Sequence, residues 1–467
     1  MERRWTSCLL SFCSALTIAT VSSYGDRAVA QPARGEAQVV TPGSSVPKPE
    51  NAGIHARTNV KLVFHASGIG SVAPPSPSNA GGPAELPPVS GAYFANTPAS
   101  LACVYGLVPR SGDACNPYVV TRNPSGGSRA IAVVEAFDAP NAMSDLAVFS
   151  AQFGLPAPSS ASFQVVYASA GACTTGGTKP GYDLGWEAEA SLDLQWAHAM
   201  APHATIYVVE AASDGPGDLF AAVAVASQCV AANGGGEVSM SWGFSEASGE
   251  TAADSLFTQK GVVYFAATGD SPGALYPSVS PNVVAVGGTS LVRNPLPWRG
   301  NLGDFQGEVV WNWGPTEGTG GGPSLYEPRP PYQYLVKDIV GSSRGTPDVA
   351  AVADPFTGVW IYDTNFSGWL VVGGTSVSTP VWAGIVNAAG RFHSSTAAEL
   401  AQIYANASLF QEAPRGFTDI TSGACSIGPI SRASWPPKAG TSAPGWAARS
   451  VISASRHRIT RPVRPGS

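Results

Sequence analysis

Short runs of β-branched and aromatic residues recur along this chain with helix-like stretches between them, and that alternation leaves few folds open. The runs fall at 131–135, 164–167, 205–210, 237–240, 262–266 and 283–286, and helical patterns at 145–153, 186–200, 218–231 and 381–389 separate some of them. Strands that stay apolar through successive residues are covered on both faces, so the pattern predicts an α/β fold, a parallel sheet with helices on both sides. No internal repeat is present, and the length from Thr97 onward suits a single domain with a sizeable core.

The ends of the chain read differently. Residues 1–30 carry Arg3 and Arg4, an apolar run through Val21 and then Ala28-Val29-Ala30, which reads as a secretory signal cleaved after Ala30. That run is too short to span a membrane, and no other segment approaches the ~20 apolar residues required. Residues 31–96 are rich in Pro, Gly, Ser and Ala and are expected to form a linker or a remnant pro-region. After Asp419 there is no further Asp or Glu, Arg and Lys recur, and apolar periodicity is lost, so 422–467 is expected to be a basic, disordered tail.

Charge narrows the setting. Only 12% of residues are charged and the net charge is −6, which gives no electrostatic reason to expect nucleic acid. No Lys or Arg occurs between Lys179 and Lys260, although eleven Asp and Glu residues lie there. Carboxylates without counter-charges raise one another's pKa, so this protein is expected to tolerate acid better than neutral pH. Of seven cysteines, Cys8 and Cys13 lie in the signal, and Cys103 with Cys115 is the bridge favoured by proximity among the other five. No Cys/His cluster points to zinc.

Two motifs carry the chemistry. In the helix at 186–200, Glu189, Leu192, Asp193, Trp196, Ala197 and Met200 share one stripe, which turns two acids inward; Glu187, Ser191, Gln195 and His198 form the opposite stripe and are expected to face solvent. Two buried carboxylates at i,i+4 cannot both ionise cheaply and should hold a proton between them, which makes the pair an acid/base device. Downstream, 369–372 reads as a strand, Gly373-Gly374 as a turn and Ser376 as the entry to a helix, with Pro380 placed in its first turn. Such a turn presents a hydroxyl at a helix N-terminus, where unpartnered amides can bind developing negative charge.

Glu189-Ala190-Ser191-Leu192-Asp193 and Gly374-Thr375-Ser376 with Ser378 and Pro380 resemble the motifs of the sedolisins, the serine-carboxyl peptidases of subtilisin-like fold. Ser239-Met240-Ser241-Trp242-Gly243, Ala267-Thr268-Gly269-Asp270-Ser271 and Thr346-Pro347-Asp348-Val349 are similar as well, in the family's order, and the resemblance spans 97–421. It implies a secreted, monomeric, acid-active serine endopeptidase acting on protein or peptide substrates. Ser376 would be the nucleophile, Glu189 the base, Asp193 its partner and Asp270 the oxyanion donor. Ser241, Trp242 and Gly243 would form the strand that binds substrate through its backbone. An aspartic acid in the oxyanion hole donates only while protonated, which implies activity in acid.

The resemblance also implies Ca2+ bound through Asp419 and Ile420. The second half of that site is missing, because Gly445-Trp446 leads into Ala447-Ala448-Arg449 with no acid. The competing expectation is therefore an inactive or unstable relative with a peptide-binding or structural role. Other readings fit less well. Ser271 lies in a Gly-x-Ser-x-Gly pattern but is followed by Pro272 and Gly273 rather than a helix. No histidine sits in the setting a Ser-His-Asp subtilisin needs. A glycosidase using Glu189 and Asp193 leaves the Gly-Thr-Ser motif unused.

Overall fold

A computed structural model of the chain describes residues 37–65, 95–109, 115–117, 119–120, 122–294, 303–366, 368–406, 417–420 and 452–454. The signal peptide and most of the basic tail lie outside them. The strands, in chain order, are β1 Ala37–Val40, β2 Arg57–Thr58, β3 Lys61–His65, β4 Ala130–Ala136, β5 Phe163–Tyr167, β6 Thr205–Ala211, β7 Gly236–Met240, β8 Trp242–Ser245, β9 Val262–Ala267 and β10 Leu275–Tyr276. They continue with β11 Val284–Asn294, β12 Asp304–Val310, β13 Gly322–Pro328, β14 Ser343–Thr346, β15 Val349–Val352, β16 Val359–Asp363, β17 Gly368–Gly373, β18 Phe417–Asp419 and β19 Ile452–Ala454. The α-helices are α1 Pro98–Val104, α2 Ala142–Phe153, α3 Leu184–Met200, α4 Pro216–Ala232, α5 Lys337–Val340, α6 Thr375–Ala389 and α7 Thr396–Asn406.

The main sheet runs β18-β19-β15-β11-β9-β7-β4-β6-β5, with β12 paired to β11. From β15 to β5 every pairing is parallel. Both faces are covered, as the unbroken apolar runs require. Ile131 and Val133 of β4 join Phe265, Trp196 and Val381 on one side, while Ala132 and Val134 join Val209, Val223 and Met240 on the other. Disulfides join Cys103 to Cys115 and Cys173 to Cys229. None of the described helices is long and apolar enough to cross a membrane.

Three expectations are corrected. First, the stretch before Thr97 is not wholly a linker. β1 pairs with β3, β3 pairs with β17, and β2 pairs with β8, so residues 37–65 are held by backbone hydrogen bonds that composition does not reveal. Secondly, Glu187, Ser191, Gln195 and His198 are buried, because α3 is enclosed by the sheet, α2, α6 and β16 rather than lying at the surface. Gln195 exchanges two hydrogen bonds with the Tyr362 backbone, and His198 Nε2 pairs with the Pro156 carbonyl oxygen. Thirdly, within the basic tail, β19 extends the main sheet beside β15.

Arg344 and Asp348 form an ion pair buried to 0% exposure on each side chain, joined through both guanidinium Nη atoms at 2.6 and 2.5 Å. Asp348 also accepts from the Ala285 amide and the Tyr404 hydroxyl. Removing one partner strands the other as a buried charge, so Arg344→Ala is expected to cost about 3–5 kcal/mol of stability. Urea unfolding of the two proteins side by side measures it; a loss below ~1 kcal/mol would contradict this assignment.

Candidate active site

Parallel sheets offer ligands the crevice beyond the C-terminal ends of their strands. β7 ends at Met240, with Ser241 next, and β9 ends at Ala267, followed by Thr268, Gly269 and Asp270. Facing them, β17 ends at Gly373, Gly374 turns with φ of 101°, and α6 begins, which places Ser376 in its first turn. α3 packs directly on α6 because Gly384 lacks a side chain; a Cβ there would lie 2.5 Å from Met200 Cβ. That close approach brings Glu189 and Asp193 to the serine's side of the crevice.

Glu189, Asp193, Ser241 and Ser376 are fully buried. Ser241 Oγ donates to the Asp193 carboxylate, 2.8 Å from each oxygen. Ser376 Oγ donates to the Ser241 carbonyl oxygen at 3.2 Å. Neither oxygen of Glu189 has a hydrogen-bond partner. Burial, then the charge of Asp193, pushes the Glu189 pKa far above the usual carboxylate range, while the nearby Ser376 hydroxyl and Asn59 amide oppose the rise. Burial also raises Asp193, against the Ser241 hydrogen bond.

Asp270 Oδ1 accepts from the amide and the hydroxyl of Thr375, at 2.8 and 2.9 Å. Its Oδ2 is buried without a partner. Burial raises this pKa to about 6, against the nearby Lys61 charge, the Thr375 hydrogen bonds and Arg57. Pro380 lies beyond the first turn of α6 rather than within it. Its missing N–H frees the Ser376 carbonyl oxygen, which Ser241 Oγ approaches at 3.4 Å.

The crevice contains a peptide backbone belonging to the chain itself. Arg57 and Thr58 pair antiparallel with Gly243 and Trp242, and Lys61 to Val63 pair with β17. Between them, the Asn59 carbonyl oxygen accepts from the Ser376 amide at 3.2 Å, and the Asn59 amide donates to Ser376 Oγ at 3.1 Å. Gly374 is required here, since a Cβ would overlap that carbonyl oxygen and lie 2.7 Å from Asp270 Oδ2. The carbonyl oxygen and the unpaired carboxyl oxygen therefore border the same Cα.

Of the residues singled out in the sequence, Ser376, Glu189, Asp193, Asp270 and Ser241 come together. The Trp242 side chain turns away, donating to the Val134 carbonyl oxygen and meeting Phe244 edge-on, so Trp242 and Gly243 face the crevice through backbone alone. Sequence reasoning missed Glu135, which is buried in β4. Burial, then the charges of Asp193 and Glu189, raise its pKa strongly. The available signal was a lone acid in an otherwise apolar strand. Ser271, the rival nucleophile, accepts from Arg57 Nη2 at 3.2 Å, and the described hydrogen bonds of His55 and His198 and the ion pair of His393 lead elsewhere.

The chain is 33% identical over 336 residues to kumamolisin of Bacillus sp. (strain MN-32), covering 67% of this chain and 56% of that protein. A 115-residue stretch is 37% identical to sedolisin of Pseudomonas sp. (strain 101), covering 24% of this chain and 18% of that protein. The fold matches that of a solved Pseudomonas sedolisin, described as a serine-carboxyl proteinase complexed with pseudo-iodotyrostatin, with a TM-score of 0.56 and 22% identity over 72% of this chain and 90% of that one. The chain belongs to the sedolisin family. Its subtilisin-like α/β fold is the one expected from the sequence motifs. No family model matches the chain. In sequence, the match spans little more than half the length of kumamolisin.

The calcium position expected of a sedolisin is described only in part. β18 ends at Asp419, whose side chain lies outside the described residues, and Ile420 is buried against Val310 and Ala350. Calcium takes six to eight oxygens, and the sequence after Asp419 offers no second carboxylate. One carboxylate and one carbonyl fall short of that shell.

Proposed function

We propose that this protein is a secreted, monomeric serine-carboxyl endopeptidase that hydrolyses protein or peptide substrates in acid. The observation that carries the reading is the seat of the Asn59 carbonyl. An extended backbone lies beside β8 with a carbonyl oxygen on the Ser376 amide, next to the unpaired oxygen of Asp270. A substrate placed there has its carbonyl carbon open to Ser376 Oγ. The pair enters the step with one proton between its two carboxyls; ionised Glu189 takes the hydroxyl proton as the C–O bond forms, and Asp193, held by Ser241, carries the pair's other proton. Protonated Asp270 and the Ser376 amide stabilise the oxyanion. Glu189 then gives the proton to the amine nitrogen as the C–N bond breaks, leaving an ester on Ser376. Water attacks that ester, Glu189 takes its proton and hands it to Ser376 Oγ as the ester C–O bond breaks, and the acid product leaves.

Two consequences can be measured. Since Asp270 donates only while protonated, hydrolysis should fall as pH rises through about 6. Because the crevice holds the chain's own Arg57–Val63 backbone, that segment must leave before an added substrate enters. The full chain incubated with casein across pH 3 to 8, with mass spectrometry of both proteins, is expected to show hydrolysis confined to acid. A folded protein that cuts neither casein nor its own 57–63 segment, or that works best above pH 7, would refute the reading.

A further inference from the structure

Three carboxylates outside the active site meet without a counter-charge. Asp145 belongs to α2, Glu187 to the first turn of α3, and Asp363 ends β16. All three are buried, and one oxygen from each lies within 4.8 Å of the other two. Asp145 is fixed by the Thr364 amide and hydroxyl, at 2.9 and 2.5 Å. Asp363 Oδ1 accepts from the Asn365 and Phe366 amides, at 2.8 and 3.3 Å. Both oxygens of Glu187 and the Oδ2 of Asp363 are buried with no hydrogen-bond donor. The groups that come near Glu187 are the Asn365 side-chain amide and the Asp363 carboxyl itself, so without an ion the two carboxyls face each other. The ion pairs of the described residues engage other acids.

Buried charges are paired or coordinate metals, because an isolated carboxylate loses its hydration for nothing. Two of these carboxylates are held in place by backbone and hydroxyl donors, and the third points its bare oxygens at them. We propose that Asp145, Glu187 and Asp363 bind a divalent cation, and that the cation is calcium. The donors are all anionic oxygens, with neither imidazole nor thiolate, which selects a hard ion. The three oxygens lie within 4.8 Å of one another, near enough for one ion to reach all of them, and carboxylates from three separate segments suit the flexible shell of calcium better than the near-ideal octahedron that magnesium demands. Water supplies the remaining ligands. The bound ion joins the start of α3, two residues before Glu189, to the β16–β17 connection that leads on to Ser376.

The test is calcium binding by the full chain, freed of metal with a chelator and studied at pH 7 by titration calorimetry and thermal melting. Saturating calcium should raise the melting temperature by several degrees, following the mass-action gain of a ligand that binds only the native state. Asp363→Asn and Glu187→Gln should each weaken binding by about tenfold or more and remove the shift, whereas Asp419→Asn should keep both. Should Asp363→Asn fail to fold for want of its amide bonds, Glu187→Gln, which keeps the shape and an acceptor oxygen for Asn365, decides alone. Absent binding in the wild type, undiminished binding in Glu187→Gln, or a shift lost in Asp419→Asn would each overturn the assignment.

Discussion

Ser376→Ala and Glu189→Gln are each expected to abolish casein hydrolysis at pH 4, with rates falling by about 10⁴–10⁶, the scale on which a nucleophile or its base is lost in a serine peptidase. Ser376 Oγ accepts from the Asn59 amide and donates to the Ser241 carbonyl oxygen, and neither backbone group can take a proton from it. The described hydrogen bonds of His55 and His198 and the ion pair of His393 lead to Asp214, Pro156 and Glu399 rather than into the crevice. Glu189 is the buried group with free oxygens beside that hydroxyl. Gln at 189 keeps the shape and removes the basicity, so its loss of rate reports proton transfer rather than packing. Asp193→Asn should lose less, about 10²–10⁴, since an amide can still hold Ser241 yet cannot share the proton. Melting curves in the assay buffer show whether each variant is folded. A Glu189→Gln protein that is folded and keeps more than a tenth of the rate would end the serine-carboxyl assignment.

The parallel sheet and the helices bearing Glu189 and Ser376 were legible because their signals are local. Apolar runs without alternation mark β4, β6 and β9, and the stripe from Glu189 to Met200 marks one face of α3. Legibility failed where partners lie far along the chain. The polar stripe of α3 looks solvent-facing, yet Gln195 satisfies its amide on Tyr362, 167 positions away. The segment from Arg57 to Val63 enters the crevice through backbone bonds, which leave no trace in residue type, and its Pro- and Gly-rich surroundings read as linker. Asp145, Glu187 and Asp363 come from three segments and look ordinary singly; only their convergence is informative. Glu135 was legible in principle, since an acid near the C-terminal end of buried β4 has to answer to something.

The protein should become less stable as pH rises from 5 to 8, the reverse of ordinary acid denaturation. Burial raises Glu210 to about 8, with the Ala139 amide opposing, and Glu399 to about 7; it lifts Glu237 well above the usual range and Asp270 to about 6. In the unfolded chain these groups titrate near 4. Between the two values the native state holds protons that the unfolded state has released. The stability this contributes is complete below the unfolded pKa and is lost as pH climbs through the folded one. Each such proton changes the unfolding free energy by about 1.4 kcal/mol per pH unit. Several acting together should lower the melting temperature by about 5–10 °C across the window. Ser376→Ala in chelator isolates the effect from self-digestion and from any metal. Adding Glu210→Gln, which keeps an acceptor for the Ala139 amide but cannot ionise, should flatten the slope above pH 6. A melting temperature that holds level or rises from pH 5 to 8 would mean that these carboxyls are solvated in the native protein, and the acidic stretch between Lys179 and Lys260 would then be an ordinary surface.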